Sequence, residues 1–480
     1  MPRMTPLSSN GGLLYESLAA RLAEAIDTGR VKAGERLPSV RTLSRQYGVS
    51  ISTAVQAYRH LEDKRVIEAR PKSGYFAAPP RPALPEPRES KPPQSARYVQ
   101  TSPLFVEYFS LLDRQDIIPL GALRPDPSLL PTQKLATLLG TTARRYPELS
   151  ASYSASAGTE RLRRTIARRA LDYGCSFDAG DVVITDGCVD ALNLCLRAVA
   201  RPGDTIALES PTYFTMLQMI ESLGMKAFEI PTNPRTGLSL EALEFATRKK
   251  GTVRALMITP SFTNPTGALM PDANRKALAE LCEKRGIPII EDDVYSDTWF
   301  GEARPLPIKA WDRTGNVLLC SSFSKTVAPG FRVGWAVAGR YREAVSVLKR
   351  IGSIFTPPIP QLALCEFMET GGFDHHLRRL RQGLAGRQQQ LAHLVAETFP
   401  EGTRVSRPTG GYVTWVELPN RVDAVELFRR ARDENILLAP GPLFTTTGRF
   451  RNAMRLNYGT LWSRATEQAI ARVGRMAAAF

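Results

Sequence analysis

Apolar residues close to the start of the chain recur at the period of an α-helix. They lie four residues apart and form one stripe, made up of Leu14, Leu18, Leu22 and Ile26. A single stripe of this kind predicts one amphipathic helix that packs its apolar side against a small core. Gly29 follows the stripe and can end that helix.

Two more helices and a β-ribbon are predicted between residues 39 and 78. Ser39 can cap a helix that ends at Gly48, and Ser50 can cap a further one. After it, "RVIEARPKSGYFAA" has the pattern of two short strands about a Pro-Lys-Ser-Gly turn. Three short helices followed by a β-ribbon predict a winged helix-turn-helix over residues 12–78.

Residues 79–105 break the pattern. The segment is rich in proline and charge and carries few large apolar side chains, as its core "PPRPALPEPRESKPPQSARYVQTSP" illustrates. Such a composition predicts a semi-rigid linker with a reach of at most roughly 80 Å, at about 3.1 Å per residue.

From residue 106 to residue 480, helical patterns alternate with short, continuous apolar runs. These runs are "VVIT" (182–185), "TIAL" (205–208), "ALMI" (255–258), "IPII" (287–290) and "VLLC" (317–320). Continuous apolar strands between helices are typical of a parallel sheet that is covered on both faces. The pattern predicts an α/β domain with a large, doubly wound sheet.

Composition narrows the class of partner. A chain of 480 residues is too long for one compact core, which agrees with two domains. The formal charge of +16 favours an anionic partner such as nucleic acid or a phosphorylated ligand. The six cysteines are scattered without metal-ligand spacing and are expected to be buried thiols in a reducing compartment. With no signal-peptide core and no membrane-length apolar run, the protein is expected in the cytoplasm.

Chemistry-bearing residues follow the predicted strands, where open α/β sheets bind their ligands. Gly187 begins a tight turn into a helix whose free N–H groups suit a phosphate. Aromatic and amide side chains follow the next two runs, at Tyr213 and Asn264, and acids follow "IPII" at residues 291–293. Two serines, a lysine and an arginine follow "VLLC", in the stretch "SSFSKTVAPGFRVGW" (321–335). Pyridoxal 5'-phosphate needs all of these groups at once: an amine, a ring-nitrogen carboxylate, donors, a π-face and a phosphate site.

The stretches "SSFSKTVAPGFRVGW", "NPTG", "EDDVY" and "ITDGCVDAL" resemble the fold-type I aminotransferases of class I/II. The resemblance implies a large sheet domain, a smaller C-terminal α+β subdomain and a catalytic set of Lys325, Asp292 and Tyr213. It implies Lys325 as the Schiff-base lysine, Asp292 on the pyridine nitrogen, Asn264 and Tyr295 on the phenolic oxygen, Tyr213 on the ring face, and Ser322, Ser324, Arg332, Gly187, Cys188 and Val189 at the phosphate.

One arginine and one tyrosine extend the resemblance beyond the residues around the cofactor. Arg455 in "MRLNYG" matches the family's arginine for a substrate α-carboxylate, and Tyr153 matches a tyrosine that reaches the neighbouring subunit's phosphate. Cys188 and Val189 depart from the pattern, because a hydroxyl residue often assists there. The phosphate would then depend more on backbone amides.

The N-terminal segment resembles the GntR winged helix-turn-helix along its length. The short helix after Ser50 presents hydroxyls that can meet phosphates and base edges, and the wing can approach a neighbouring groove. The expected DNA-binding residues are Arg41, Ser50, Ser52, Thr53, Arg70, Lys72 and Gly74. The sequence departs from the family at Ile51, Arg65 and Lys72. A helical bundle used for protein contacts is the alternative interpretation of this segment.

The two resemblances together are those of the MocR/GabR family of bacterial transcriptional regulators. They imply a homodimer that binds promoter DNA and responds to pyridoxal phosphate, an amino compound, or both, with weak or absent turnover. Two alternatives stay open: a working aminotransferase with an appended DNA-binding module, and a cofactor-binding structural protein without DNA recognition.

Overall fold

The computed structural model describes residues 14–28, 30–32, 34–63, 66–70, 73–78, 84–100 and 102–480. The chain forms two compact units, Met1–Ala83 and Leu84–Phe480. The predicted helix stop at Gly29, the wing residue Lys72 and the departure at Arg65 lie outside the described residues.

In its described residues, the first unit is three helices and a two-stranded antiparallel ribbon. Its elements are α1 (Leu14–Asp27), α2 (Val40–Tyr47), α3 (Ile51–Asp63), β1 (Ile67–Arg70) and β2 (Gly74–Ala77). The predicted caps are confirmed: Ser39 Oγ accepts from the Thr42 amide, Ser50 Oγ accepts from the Thr53 amide, and Gly48 ends α2 in the left-handed conformation. Leu18, Leu22 and Ile26 of the α1 stripe lie in the core of this unit, where α1 packs against α3, whereas Leu14 is 38% exposed.

The second unit contains a large mixed sheet with helices on both faces. Its first elements are β3 (Arg97–Tyr98), α4 (Pro103–Leu111), α5 (Thr132–Arg145), α6 (Glu160–Ala170), β4 (Val182–Thr185), α7 (Cys188–Val199), β5 (Thr205–Ser210), α8 (Phe214–Ser222), β6 (Lys226–Asn233), β7 (Gly237–Leu238), α9 (Leu240–Ala246), β8 (Ala255–Ile258), α10 (Asp272–Arg285), β9 (Ile289–Asp292), β10 (Val317–Ser322) and β11 (Gly334–Val337). The strand order is β3-β6-β5-β8-β9-β10-β11-β4, with β7 paired to β6.

Burial explains why the predicted strands are continuously apolar. Ile206 and Leu208 of β5 belong to one apolar cluster, whereas Ala207 between them belongs to another. Successive side chains of a strand point to opposite faces, so both faces of the sheet are covered. Strands β6, β5, β8, β9 and β10 are parallel, as predicted.

Two features of the sheet differ from the prediction. β11 is antiparallel to both β10 and β4, so it separates "VVIT" from the other predicted strands. The strand predicted at 287–290 begins at Ile289 and continues to Asp292, because its pairing partner on β10 extends to Cys320. Neither β6 nor β11 was among the predicted runs.

The rest of the unit is a smaller α+β part, as expected. It follows α11 (Arg342–Ser353), α12 (Pro358–Glu369) and α13 (Gly372–Thr398), and it contains β12 (Arg404–Val405), β13 (Val413–Glu417), α14 (Ala424–Asp433), β14 (Ala439–Pro440), β15 (Ala453–Asn457) and α15 (Arg464–Ala478). Its four strands form an antiparallel sheet in the order β12-β13-β15-β14.

The linker predicted at 79–105 needs correction from residue 84 onward. Ser90 is buried and exchanges hydrogen bonds with Thr232, and Arg97 and Tyr98 pair with β6 at the edge of the large sheet. A proline-rich backbone keeps its carbonyl acceptors, and the Pro85 carbonyl accepts from the Val405 amide. Residues 84–105 are therefore part of the second unit, and the reach of roughly 80 Å does not apply to them.

No helix in the described ranges is both long and apolar enough to cross a bilayer. The prediction of buried thiols is confirmed: all six cysteines are buried, and none of them forms a disulfide.

Candidate cofactor and effector site

The candidate residues gather at the carboxyl ends of the central strands. β9 ends at Asp292, β10 ends at Ser322, and Lys325 lies in the turn that follows. α7 begins at Cys188, just after β4. Adjacent strands that run in the same direction bring these ends to one edge of the sheet, which is where the sequence predicted a ligand site.

Lys325 is a half-buried amine surrounded by charges. Its Nζ donates to the Leu123 carbonyl at 2.8 Å. Burial lowers the pKa of Lys325 to about 8, assisted by the positive charge of Arg455 and opposed by the carboxylate of Asp292. A lysine in this state supplies free amine close to neutral pH, which a nucleophile toward an aldehyde requires.

Asp292 is a buried carboxyl group with one oxygen engaged. Its Oδ1 accepts from the Cys188 thiol at 3.2 Å and from the Val294 amide at 3.3 Å. Among the described residues, none donates a hydrogen bond to Oδ2. Burial raises the pKa of Asp292 to about 6. A protonated ring nitrogen would supply both the missing donor and a positive charge that favours the carboxylate.

Arg455 lies fully buried among aromatic rings. Its Nη1 donates to Asn264 Oδ1 at 2.8 Å and its Nη2 to the Gly121 carbonyl at 2.5 Å. Its Nε is buried and has no hydrogen-bond partner in the described ranges. A buried guanidinium that is held by neutral acceptors fits an anionic ligand such as a carboxylate.

The Asn264 amide connects this arginine to Tyr295. Asn264 Nδ2 faces Tyr295 Oη at 3.5 Å, and both residues are buried. Asn264 precedes a cis proline in the turn after β8. The pair offers an amide donor and a phenol side by side, the groups expected at a phenolic oxygen.

Gly187 lies in a tight turn at the N-terminus of α7, and Arg332 contacts this turn. Gly187 has φ +95°, and a Cβ placed on it would lie 2.7 Å from Arg332 Nη2. Arg332 itself has φ +52° and donates from Nη2 to the Asp186 carbonyl at 2.6 Å. Free amides, an exposed guanidinium and the nearby Ser322 and Ser324 hydroxyls suit a phosphate. We call the turn 186–188 with Arg332 the cradle.

Three of the candidate residues do not bring their side chains to the front of the cradle within one chain. The Cys188 side chain contacts Asp292 rather than the front of the cradle, and Val189 is 41% exposed. Tyr153 is 83% exposed and contacts Phe355, so a single chain does not bring it to the other candidates. Tyr213, in contrast, lies near Arg455 and Asp292. Burial raises the pKa of its phenol, and the charges of both residues also act on that pKa.

Sequence reasoning missed several groups at this site. The carbonyls of Gly121 and Leu123 accept from Arg455 and Lys325, but a backbone acceptor leaves no mark in the sequence. Buried Lys349 and Glu209 were missed as well, because lysine and glutamate in helix and strand patterns are ordinarily solvent-exposed.

The first unit exposes most of its candidate DNA-binding residues. Arg41, Ser50 and Ser52 are exposed at the start of α2 and α3, and Ser50 Oγ contacts the hydroxyls of Ser52 and Thr53. Ile51 is 56% exposed, so it is free to contact a partner. On the ribbon, the Arg70 guanidinium lies over the Phe76 ring, and Gly74 lies beside Arg36, which the sequence analysis did not single out.

Two family profiles match the chain. The profile described as "Aminotransferase class I and II" matches residues 142–471, and "Bacterial regulatory proteins, gntR family" matches residues 14–76. The HTH-type transcriptional regulators YjiR and YdcR of Escherichia coli are 38% and 35% identical, each over 96% of this chain and 98% of the relative.

Solved structures resemble the second unit. LysN, an alpha-aminoadipate aminotransferase from Thermus thermophilus complexed with N-(5'-phosphopyridoxyl)-L-leucine, is 31% identical with a TM-score of 0.72. The match covers 79% of this chain and 95% of LysN. The kynurenine aminotransferase of Pyrococcus horikoshii is 27% identical with a TM-score of 0.73, over 79% of this chain and 95% of that chain.

Proposed function

The chain belongs to the class I and II aminotransferase family and carries a GntR-family regulatory domain, and on that premise we propose that it is a promoter-binding transcriptional regulator of the MocR/GabR type. Its cofactor is pyridoxal 5'-phosphate, and its effector is an amino compound with a carboxylate. Two features of the same chain carry the proposal. The first unit exposes a helix-turn-helix, and the second unit brings Lys325, Asp292 and the buried Arg455 together at one edge of its sheet.

We assign each site residue a role within this proposal. When bound, the cofactor supplies an aldehyde that condenses reversibly with amines. Lys325 provides the amine, Asp292 Oδ2 holds the ring nitrogen, and Asn264 with Tyr295 faces the phenolic oxygen. Tyr213 covers the ring. The phosphate lies against Ser322, Ser324, Arg332 and the amides of Gly187, Cys188 and Val189.

Arg455 selects the effector. Its guanidinium is preorganised by Asn264 and Gly121, so a carboxylate gains two charge-assisted hydrogen bonds without ordering a long side chain. The amine of the same effector competes with Lys325 for the cofactor aldehyde. This exchange can move the DNA-binding units only to the extent that the effector binds the two states of the protein differently.

The DNA-binding role belongs to the first unit. Arg41, Ser50, Ser52 and Thr53 contact phosphates and base edges, and the wing residues Arg70, Lys72 and Gly74 approach the neighbouring groove. We place this activity in the cytoplasm.

The protein acts as a homodimer in this proposal. Helix α11 exposes apolar side chains at Val347 (53%) and Ile351 (73%), followed by Ile354 (51%), and the exposed ring of Tyr153 packs on adjacent Phe355. An exposed apolar surface of this kind favours an interface. Tyr153 then reaches the cofactor phosphate of the second copy. Sedimentation of the purified chain would test this, and a monomer at micromolar concentration would contradict it.

Spectroscopy tests the cofactor role. The holoprotein should have an absorption band near 420 nm, a property of the cofactor's chemistry, that the Lys325→Ala variant lacks. Candidate amino acids should shift the band in wild type, and Arg455→Met should abolish the response while keeping the band. A wild-type protein without a band in excess cofactor would contradict the proposal.

The same titration separates the runner-up function, a working aminotransferase. If an amino acid converts the band and a 2-oxo acid restores it over many cycles, the protein turns over substrate. If the band shifts once and stays shifted, it acts as a sensor.

DNA binding has its own test. Affinity for a selected promoter fragment should fall steeply with salt, and Arg41→Gln should reduce the salt slope by about one. Arg421→Gln, an exposed arginine of the second unit, is the matched control and should leave the slope unchanged. Salt-independent or absent binding would favour the cofactor-binding structural protein instead.

A further inference from the structure

Lys349 of α11 is a lysine whose side chain has no solvent exposure. Its Nζ lies 3.0 Å from Asp186 Oδ2 and 3.7 Å from Asp190 Oδ2, and it donates to Ser353 Oγ at 2.6 Å and Thr356 Oγ1 at 3.0 Å. Burial of an ammonium group is strongly destabilising unless the group is paired and hydrogen-bonded. The chain therefore retains a costly charge at this point, fully engaged by its neighbours.

Asp186, the partner of this lysine, is the first residue of the cradle, and several groups fix it. Its Oδ1 accepts from Thr356 Oγ1 at 2.7 Å, and its amide donates to Asp190 Oδ2 at 2.9 Å. Its carbonyl accepts from Arg332 Nη2 at 2.6 Å. One residue thus connects the buried lysine to the guanidinium proposed for the phosphate.

We propose that Lys349 is a positioning residue for the phosphate of the cofactor. By holding the Asp186 carboxylate, it fixes the Asp186 carbonyl that orients Arg332, and it fixes the turn at Gly187 that presents the amides of α7. The inference rests on the proposed function, because it assigns the cradle to the cofactor phosphate. Lys349 is not itself a phosphate ligand, since Asp186, Ser353 and Thr356 occupy its ammonium group.

The fold supplies a matched control. Lys309 is also a mostly buried lysine, whose Nζ contacts Asp312 Oδ2 at 2.7 Å and the Val317 carbonyl at 2.8 Å. Val317 is the first residue of β10, whereas the cofactor candidates begin at its last residue, Ser322. Loss of Lys309 therefore removes a comparable ion pair at the end of the strand remote from the cradle.

The test compares two ligands that differ only in the phosphate. The dissociation constants of pyridoxal 5'-phosphate and of pyridoxal are measured by absorbance titration of the full-length, cofactor-free protein. The dissociation constant of pyridoxal divided by that of pyridoxal 5'-phosphate reports how much the phosphate contributes to binding. Lys349→Met should reduce this ratio roughly tenfold or more, as for other groups that orient a ligand-binding residue, and Lys309→Met should leave it unchanged.

A second variant covers the case in which Lys349→Met does not fold. Thr356→Val keeps the shape of a buried side chain and removes its hydrogen bonds to Asp186 and Lys349, so it should lower the same ratio several-fold. An unchanged ratio in Thr356→Val, or equal weakening of both ligands in Lys349→Met, would overturn the proposal. Failure of the proposed function looks different, since the wild type would then bind neither ligand.

Discussion

The depressed pKa of Lys325 gives a prediction that can be checked without any cofactor. Burial and the charge of Arg455 bring this pKa to about 8, from an ordinary value of 10.5. At pH 7 about 9% of such an amine is unprotonated, against about 0.03% of an ordinary lysine. Lys325 should therefore react with a small acylating reagent roughly 300-fold faster than its ordinary pKa would allow, if access is equal.

Competitive labelling measures this difference. Cofactor-free protein is treated with trace acetic anhydride from pH 6 to pH 10, and the modified lysines are quantified by peptide mass spectrometry. Labelling of Lys325 should rise tenfold per pH unit and level off near pH 8. Exposed Lys250 in the same sample is the internal reference, which corrects for the reagent concentration and for unfolding of the protein.

Two substitutions test the electrostatic reasoning in opposite directions. Arg455→Met removes a positive charge that lowers the pKa of Lys325, so the midpoint should move to higher pH. Asp292→Asn removes a negative charge that raises it, so the midpoint should move to lower pH. A wild-type midpoint at pH 10 or above, or shifts of the same sign in both variants, would refute the reasoning.

Three further predictions concern single residues. Ser39→Ala should cost about 1 kcal/mol of local stability, seen as faster hydrogen exchange in α2, because the Thr42 amide loses its acceptor; equal exchange would contradict the cap. Burial raises the pKa of Glu209 to about 8 from 4.5, so its part of the stability is complete below pH 4.5 and is lost as the pH rises to 8. Glu209→Gln should remove up to about 4 kcal/mol of that dependence between pH 5 and pH 8 in urea unfolding, and an unchanged slope would refute the assignment. Gly187→Ala should weaken pyridoxal 5'-phosphate binding about tenfold in a titration, because the left-handed φ and the contact with Arg332 displace the cradle; unchanged affinity would argue against it.

Local rules predicted the first unit almost completely. The caps at Ser39 and Ser50 and the left-handed stop at Gly48 depend on interactions within a few residues, so they are visible in the sequence. The linker prediction failed from residue 84 onward because composition does not report hydrogen bonds to distant partners. The serine at position 90, which binds Thr232, is an ordinary polar residue in the sequence and a buried one in the fold.

The strands of the large sheet were predicted where both faces are buried. β11 was missed, although it is apolar, because it is short and its first two residues belong to the motif stretch 321–335. Its antiparallel direction could not be predicted, since strand order depends on pairing between segments far apart in the chain. At the site, residue types and strand ends were enough to predict Lys325, Asp292 and Asn264 from the sequence. The supporting carbonyls and Lys349 could be identified only from the three-dimensional structure.

Cys188 shows where residue type stops being informative. From the sequence, Cys188 was expected only at the phosphate, where a thiol is a poorer partner than a hydroxyl, and the phosphate was therefore expected to depend more on backbone amides. In the structure the thiol turns the other way and donates to Asp292 Oδ1, joined there by the Val294 amide. Two donors on one oxygen orient the carboxyl group and leave Oδ2 for the proposed contact with the ring nitrogen. A side chain at a helix N-terminus can face either of two neighbours, and only the packing of β9 against α7 decides which of them it serves.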